Sequence, residues 1–134
     1  MSRVICCGLV LVVFALRVFG LDYGVDTTIK LKKDEVFVGT IQDTSDNQAS
    51  LKKIILYWTL YENKGLVINM HFNGFPYQFV LYKNYSLDTY NIAVFQESFA
   101  HNSHLSLVFK DFKEDKAILR LLASKNLSLS SQQP

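Results

Sequence analysis

Cysteine, proline and glycine are all scarce: the chain of 134 residues holds two Cys, two Pro and six Gly. Both cysteines, Cys6 and Cys7, fall within the first twenty residues, so residues 21–134 contain none. That excludes disulfides, thiolate zinc sites and cysteine nucleophiles from this part of the chain. A domain built from it is held by its core alone. Charge is also sparse, at 19% against 49% hydrophobic residues, which excludes a disordered chain. The formal charge is +2, but Arg3 and Arg17 lie in the first twenty residues; beyond them twelve basic residues meet twelve acidic ones. No broad basic surface for nucleic acid follows. Enzyme signatures are missing as well: there is no Gly-rich phosphate loop, no nucleophile elbow and no His-Glu-x-x-His. The sequence calls for no catalytic residue and no cofactor.

Long apolar runs are lacking too. The longest, Val4–Leu16, spans thirteen residues, short of the roughly 20 that cross a bilayer. With Arg3 before it and Val18-Phe19-Gly20 after it, residues 1–20 read as a secretory signal peptide cleaved after Gly20. The alternative, an uncleaved anchor, is disfavoured by Arg17, which interrupts any longer membrane helix. The expectation is a secreted, extracellular protein with no membrane span after cleavage. Two sequons, Asn84-Tyr85-Ser86 and Asn126-Leu127-Ser128, make Asn84 and Asn126 candidate glycosylation sites. Residues 21–123 then form one domain, and residues 124–134 a polar, Ser-rich tail.

What is present is period-two alternation. Glu35–Ile41 and Leu51–Tyr61 read as strands, the second apolar on both faces and therefore central in a packed sheet. Asn63-Lys64-Gly65 supplies a turn in which Gly takes the positive φ. Leu66–Asn73 alternates most clearly: Leu66, Ile68, Met70 and Phe72 face one way, Val67, Asn69, His71 and Asn73 the other. Asn73-Gly74 signals a hairpin that Pro76 lengthens. Tyr77–Lys83 and Tyr90–Gln96 continue as strands, and Leu105–Phe109 alternates with His104, Ser106 and Lys110. Lys116–Leu122 fits a helical stripe or a hairpin closed by Lys113-Glu114-Asp115, and its neighbours favour the hairpin. At least six short strands predict an all-β antiparallel sandwich or barrel.

His71, His101 and His104 lack a spacing diagnostic of a metal site, and exposed loop histidines are the simpler account. More informative is the row Asn69, His71 and Asn73, which on a strand projects from one face in steps of about 7 Å. It is either an ordinary solvated face or a polar shelf for a hydroxyl-rich ligand. Imidazole and amide groups donate and accept, as sugar hydroxyls do. Tyr77, Tyr82 and Tyr90 offer aromatic surface for a sugar's apolar face.

The stretch Val67-Ile68-Asn69-Met70-His71-Phe72-Asn73 resembles the galectin strand that carries a His-x-Asn motif, and the order of strands over Thr28–Leu122 is similar to that family. The resemblance implies a galectin-like jelly-roll sandwich that binds β-galactosides without metal. It implies ligand roles for His71 and Asn73, for Asn84 on the next strand, and for Tyr90 as the stacking aromatic. Gly74-Phe75 stands where the family has Pro-Arg, and Tyr90-Asn91-Ile92-Ala93 lacks the family's Glu and second Arg. Losing two or three charged hydrogen-bond partners weakens binding by roughly two to five powers of ten. Lys83 is a nearby cation, without the planar fork of Arg. A glycan on Asn84 is incompatible with its role as a sugar ligand. The functional expectation is a secreted galectin-like carbohydrate-binding protein with a degenerate site, its partners glycans, glycoproteins or a protein receptor. The alternatives are a protein-interaction module that has lost sugar binding, and a small carrier of hydrophobic ligands.

Overall fold

The computed structural model describes residues 23–43, 51–83, 86–95 and 103–132. Among these residues nine antiparallel strands follow one another: β1 (Tyr23–Lys32), β2 (Phe37–Asp43), β3 (Lys52–Glu62), β4 (Gly65–Phe72), β5 (Phe75–Tyr82), β6 (Thr89–Phe95), β7 (Ser103–Lys113), β8 (Lys116–Ser124) and β9 (Leu127–Gln132). They form a four-stranded sheet in the order β1-β8-β7-β6 and a five-stranded sheet in the order β5-β4-β3-β2-β9. The all-β antiparallel sandwich read from the alternation is what forms. Consecutive hairpins build β2–β5 and β6–β8, while β1 returns beside β8 and β9 beside β2. Among the described residues no helix is long and apolar enough to cross a membrane.

Alternation decides which face of each strand turns inward. On β4, Leu66, Ile68, Met70 and Phe72 are buried and Val67, Asn69 and His71 are half-buried on the outside. Ile54, Leu56 and Trp58 of β3 meet Leu105, Leu107 and Phe109 of β7 in one core cluster that occupies the space between the sheets. The Trp58 indole N–H, buried with its ring, donates to the Leu31 carbonyl at 2.8 Å. Its ring meets Phe112 edge to face, and Phe112 in turn stacks on Tyr61 at 4.0 Å. The central position expected for the doubly apolar strand is correct: β3 is the middle of five.

Three expectations change, and one strand is additional. The Asn63-Lys64-Gly65 turn places its positive φ on Asn63 (51°) and Lys64 (66°), not on the glycine. Gly65 instead begins β4, where an added Cβ would lie 2.8 Å from the Tyr82 ring. Asn73 (φ 50°) and Gly74 (φ 84°) make a two-residue turn that Pro76 does not lengthen. Pro76 lies on β5, an edge strand that tolerates a missing N–H. Tyr23–Lys32 is a full strand, paired with β8 from Tyr23↔Ser124 to Lys32↔Lys116. Finally, the Ser-rich tail belongs to the sandwich: β9 pairs with β2, Leu127 is buried, and Ser128 and Ser130 alternate outward. The preferred hairpin for the last ambiguous segment does form, with Glu114 and Asp115 in its turn.

Candidate functional site

Among the expected ligand residues that are described, His71 and Tyr90 are not brought together. His71 lies on the outer face of the five-stranded sheet, with Ile55 and Pro76 as its cross-strand neighbours. Asn73 sits at the exposed turn beyond β4, where its backbone N–H donates to the Lys53 carbonyl at 2.9 Å. Tyr90 is on β6 of the other sheet and faces inward. Its ring stacks on Phe79 at 4.0 Å and meets Tyr77 edge to face, closing the side of the sandwich between β5 and β6. An aromatic committed to that seam does not share a surface with His71, which corrects the joint role assigned to the two. Asn84 and His101 lie outside the described residues.

The remaining polar groups near His71 are engaged with each other. Gln78 Nε2 donates to Asn69 Oδ1 at 3.1 Å, and Asn69 Nδ2 donates to Thr59 Oγ1 at 3.2 Å. This chain crosses β5, β4 and β3 and satisfies the Asn69 amide at both ends. Lys83, the nearby cation, is bound to Asp111 at 2.6 Å. That hydrogen bond, with the Phe112 backbone N–H and Lys113 helping, holds the Asp111 carboxyl down at about 2. Asn126, the second sequon, donates through Nδ2 to the buried Ser103 hydroxyl at 2.7 Å.

A different constellation is assembled on the outer face of the four-stranded sheet. There a groove of about 380 Å³ is lined by Tyr23, Asn91, His104, Ser106, Leu122, Ala123 and Ser124. Its volume falls in the range of small-ligand sites, about 300–1,000 Å³. Register explains its composition. Asn91 lies opposite Ser106, and Ser106 opposite Leu122; one row further, Ala93 faces His104 and Tyr23 faces Ser124. Because Leu105, Leu107 and Phe109 of β7 turn into the core, His104 and Ser106 must turn out. His104 is thus an exposed strand residue and not part of a loop. His71 and His104 occupy the outer faces of different sheets, so they cannot share an ion, and among the described residues no cluster of three metal-ligating side chains occurs.

Within the groove, Ser106 Oγ donates to Asn91 Oδ1 at 2.5 Å, leaving the Asn91 Nδ2 without a hydrogen bond among the described residues. The Ser124 hydroxyl accepts from the His104 backbone N–H at 2.7 Å and donates to the His104 carbonyl at 3.2 Å. It pins the β7–β8 backbone and leaves the imidazole with no partner among the described residues. Tyr23, 41% exposed, supplies the aromatic wall. Arg120 lies two residues from Leu122 on the same face and grips Asp26 with two hydrogen bonds, 2.8 and 2.7 Å. That grip lowers the Asp26 pKa and raises that of Arg120.

Alternation alone turns His104 and Ser106 outward, but nothing in the sequence marks them as a site. The missing signal was the strand β1, which brings Tyr23 to Ser124. No family model matches the chain, and neither a curated protein nor a solved structure does.

Proposed function

We propose that the protein is a secreted, non-enzymatic carbohydrate-binding sandwich, galectin-like in class, whose ligand occupies the groove of the four-stranded sheet. One observation carries this reading: an open groove that combines an imidazole, an amide with unused donors, hydroxyls and one aromatic wall. Such groups match the paired donor and acceptor character of sugar hydroxyls, while Tyr23 offers a flat surface for a sugar's C–H face. The apolar leader at residues 4–16 supports export. The degenerate motif around His71 argues against an ordinary galactoside site there, since its Asn69 amide is already committed and Tyr90 is turned inward.

The protein-interaction alternative is favoured by one feature, the partly exposed apolar residues on the outer face of the five-stranded sheet. A glycan array probed with the folded, secreted protein separates the two. Binding to a defined sugar class supports the carbohydrate reading. Absence of binding to every glycan overturns it and leaves the interaction module.

A further inference from the structure

Beyond its first twenty residues the chain is neutral, but its charge is unevenly spread. Ala117, Leu119 and Leu121 of β8 turn into the core, so Lys116, Ile118 and Arg120 turn out, and the residues they pair with turn out beside them. The outer face of the four-stranded sheet thereby collects Lys30, Lys32, Lys110, Lys113, Lys116 and Arg120. These are six of the twelve basic residues after residue 20, and only two of the twelve acidic ones, Asp26 and Asp111, join them. Both carboxylates are already engaged, Asp26 by Arg120 and Asp111 by Lys83 and Lys113. Lys30, Lys32, Lys110 and Lys116 have no ion pair among the described residues, and neither do Asp34, Glu35, Glu114 and Asp115 on the connecting segments.

Register makes this face unusual. Lys32 lies directly opposite Lys116, and Lys116 directly opposite Lys113, so three lysines stand in one row across β1, β8 and β7. Cross-strand neighbours sit about 5 Å apart at Cβ, and like charges so placed destabilise a sheet. Folding does not call for such a row, whereas an anion laid across it removes the repulsion. Lys30, opposite Ile118, lies one step from the row towards the groove, and Thr28 opposite Arg120 one step further. The groove opens on this same face. Leu122, which lines it, is six residues along β8 from Lys116, about 20 Å at ~3.4 Å per residue. That span exceeds one sugar and suits an oligosaccharide.

We propose that the groove's ligand is a sulfated oligosaccharide, with one sugar seated between Tyr23, His104 and Asn91 and its sulfates reaching along β8 to Lys30 and the row Lys32, Lys116 and Lys113. This rests on the carbohydrate reading of the groove and adds the ligand's charge and length. Lysine favours sulfate over carboxylate here: an ammonium is a point charge with three donors, while the planar fork that matches carboxylates belongs to Arg120, which already holds Asp26.

The secreted protein is titrated by calorimetry with a heparin-derived hexasaccharide and with the same hexasaccharide after complete desulfation. The expected result is at least tenfold tighter binding of the sulfated form, an advantage that shrinks as salt is raised. Lys32→Gln combined with Lys116→Gln is expected to weaken that binding about five- to tenfold, and Lys64→Gln, between β3 and β4, to leave it unchanged. Because the double variant relieves like-charge repulsion, its urea midpoint should hold or rise, which separates lost contacts from lost folding. Equal affinity for the two hexasaccharides overturns the inference and leaves the carbohydrate reading in place. Binding of neither overturns it too, and the carbohydrate reading falls with it only if the glycan array is also blank. Undiminished binding in the double variant overturns the inference, as does equal affinity for an oligonucleotide of the same charge. So does sulfate-dependent binding that His104→Ala leaves unchanged, because groove and lysine row would then not hold one ligand.

Discussion

Between the two sheets the side chains are interchangeable in kind; outside them they are not. The four-stranded sheet turns His104, Ser106, Asn91 and the Asp26–Arg120 pair to the surface around a groove. The five-stranded sheet turns out Ile55, Tyr57, Val67 and Val80, with Asn69 and Gln78 bonded to each other and His71 set between Ile55 and Pro76. The inner faces were shaped by one requirement, exclusion of water, and both met it with Leu, Ile and Phe. The outer faces carry different chemistry because nothing in folding requires it of them. The surface whose unspent hydrogen-bonding groups are gathered in one groove suits a polar ligand.

The largest expected effect breaks both faces at once. Ile68, fully buried on β4, contributes to the shared core, and Ile68→Ala is expected to cost about 2–5 kcal/mol in urea unfolding. Next comes a change confined to the seam between the sheets. An added Cβ at Gly24 would lie 2.3 Å from the Leu127 carbonyl oxygen, with the Ser124 and Lys125 carbonyls close behind. Gly24→Ala must therefore displace backbone, at about 1–3 kcal/mol. Because Tyr23 and Ser124 line the groove, ligand binding should suffer in this variant while residues of β4 and β5 keep their amide exchange protection.

A pH titration probes the bridge between the sheets. Asp111 of β7 pairs with Lys83, and its carboxyl falls from 3.8 to about 2 in the folded protein. A depressed carboxylate stabilises the fold fully above its unfolded value and loses that contribution as pH falls through its folded one. Stability should therefore decline between about pH 4 and 2, and Asp111→Asn should flatten that decline in chemical unfolding at graded pH. The smallest effect lies at the β7–β8 turn, where Asp115 sits at φ 61°. Replacing it with glycine relieves left-handed strain, and a gain of about 0.5–1 kcal/mol is expected in thermal unfolding.

How much was legible from the sequence follows the same division. The Leu66–Phe72 strand could be read directly, because apolar and polar residues alternate there with strong contrast. β1 is hard to see in the sequence because only Val25, Ile29 and Leu31 turn inward, set among Asp, Thr and Lys. β9 reads as a tail because serines outnumber the two leucines that anchor it. The groove was illegible for a deeper reason. Tyr23, Asn91, His104, Ser106 and Ser124 come from four strands, and only the pairing of β1 with β8 and of β7 with β6 gathers them. Alternation tells which way a side chain points. It does not tell which strand lies beside it. The His71–Asn73 segment could be read as a strand and a turn, but its partners across the sheet, Ile55 and Pro76, could not.

The most direct measurement takes a glycan bound by the wild type on an array and titrates it into His104→Ala, Ser106→Ala and His71→Ala by calorimetry. The groove account predicts that the first two lose about tenfold or more in affinity, with stability changed by less than about 0.5 kcal/mol, while His71→Ala binds as the wild type does. Loss of binding in His71→Ala, with His104→Ala and Ser106→Ala unaffected, would contradict it and return the site to the five-stranded sheet.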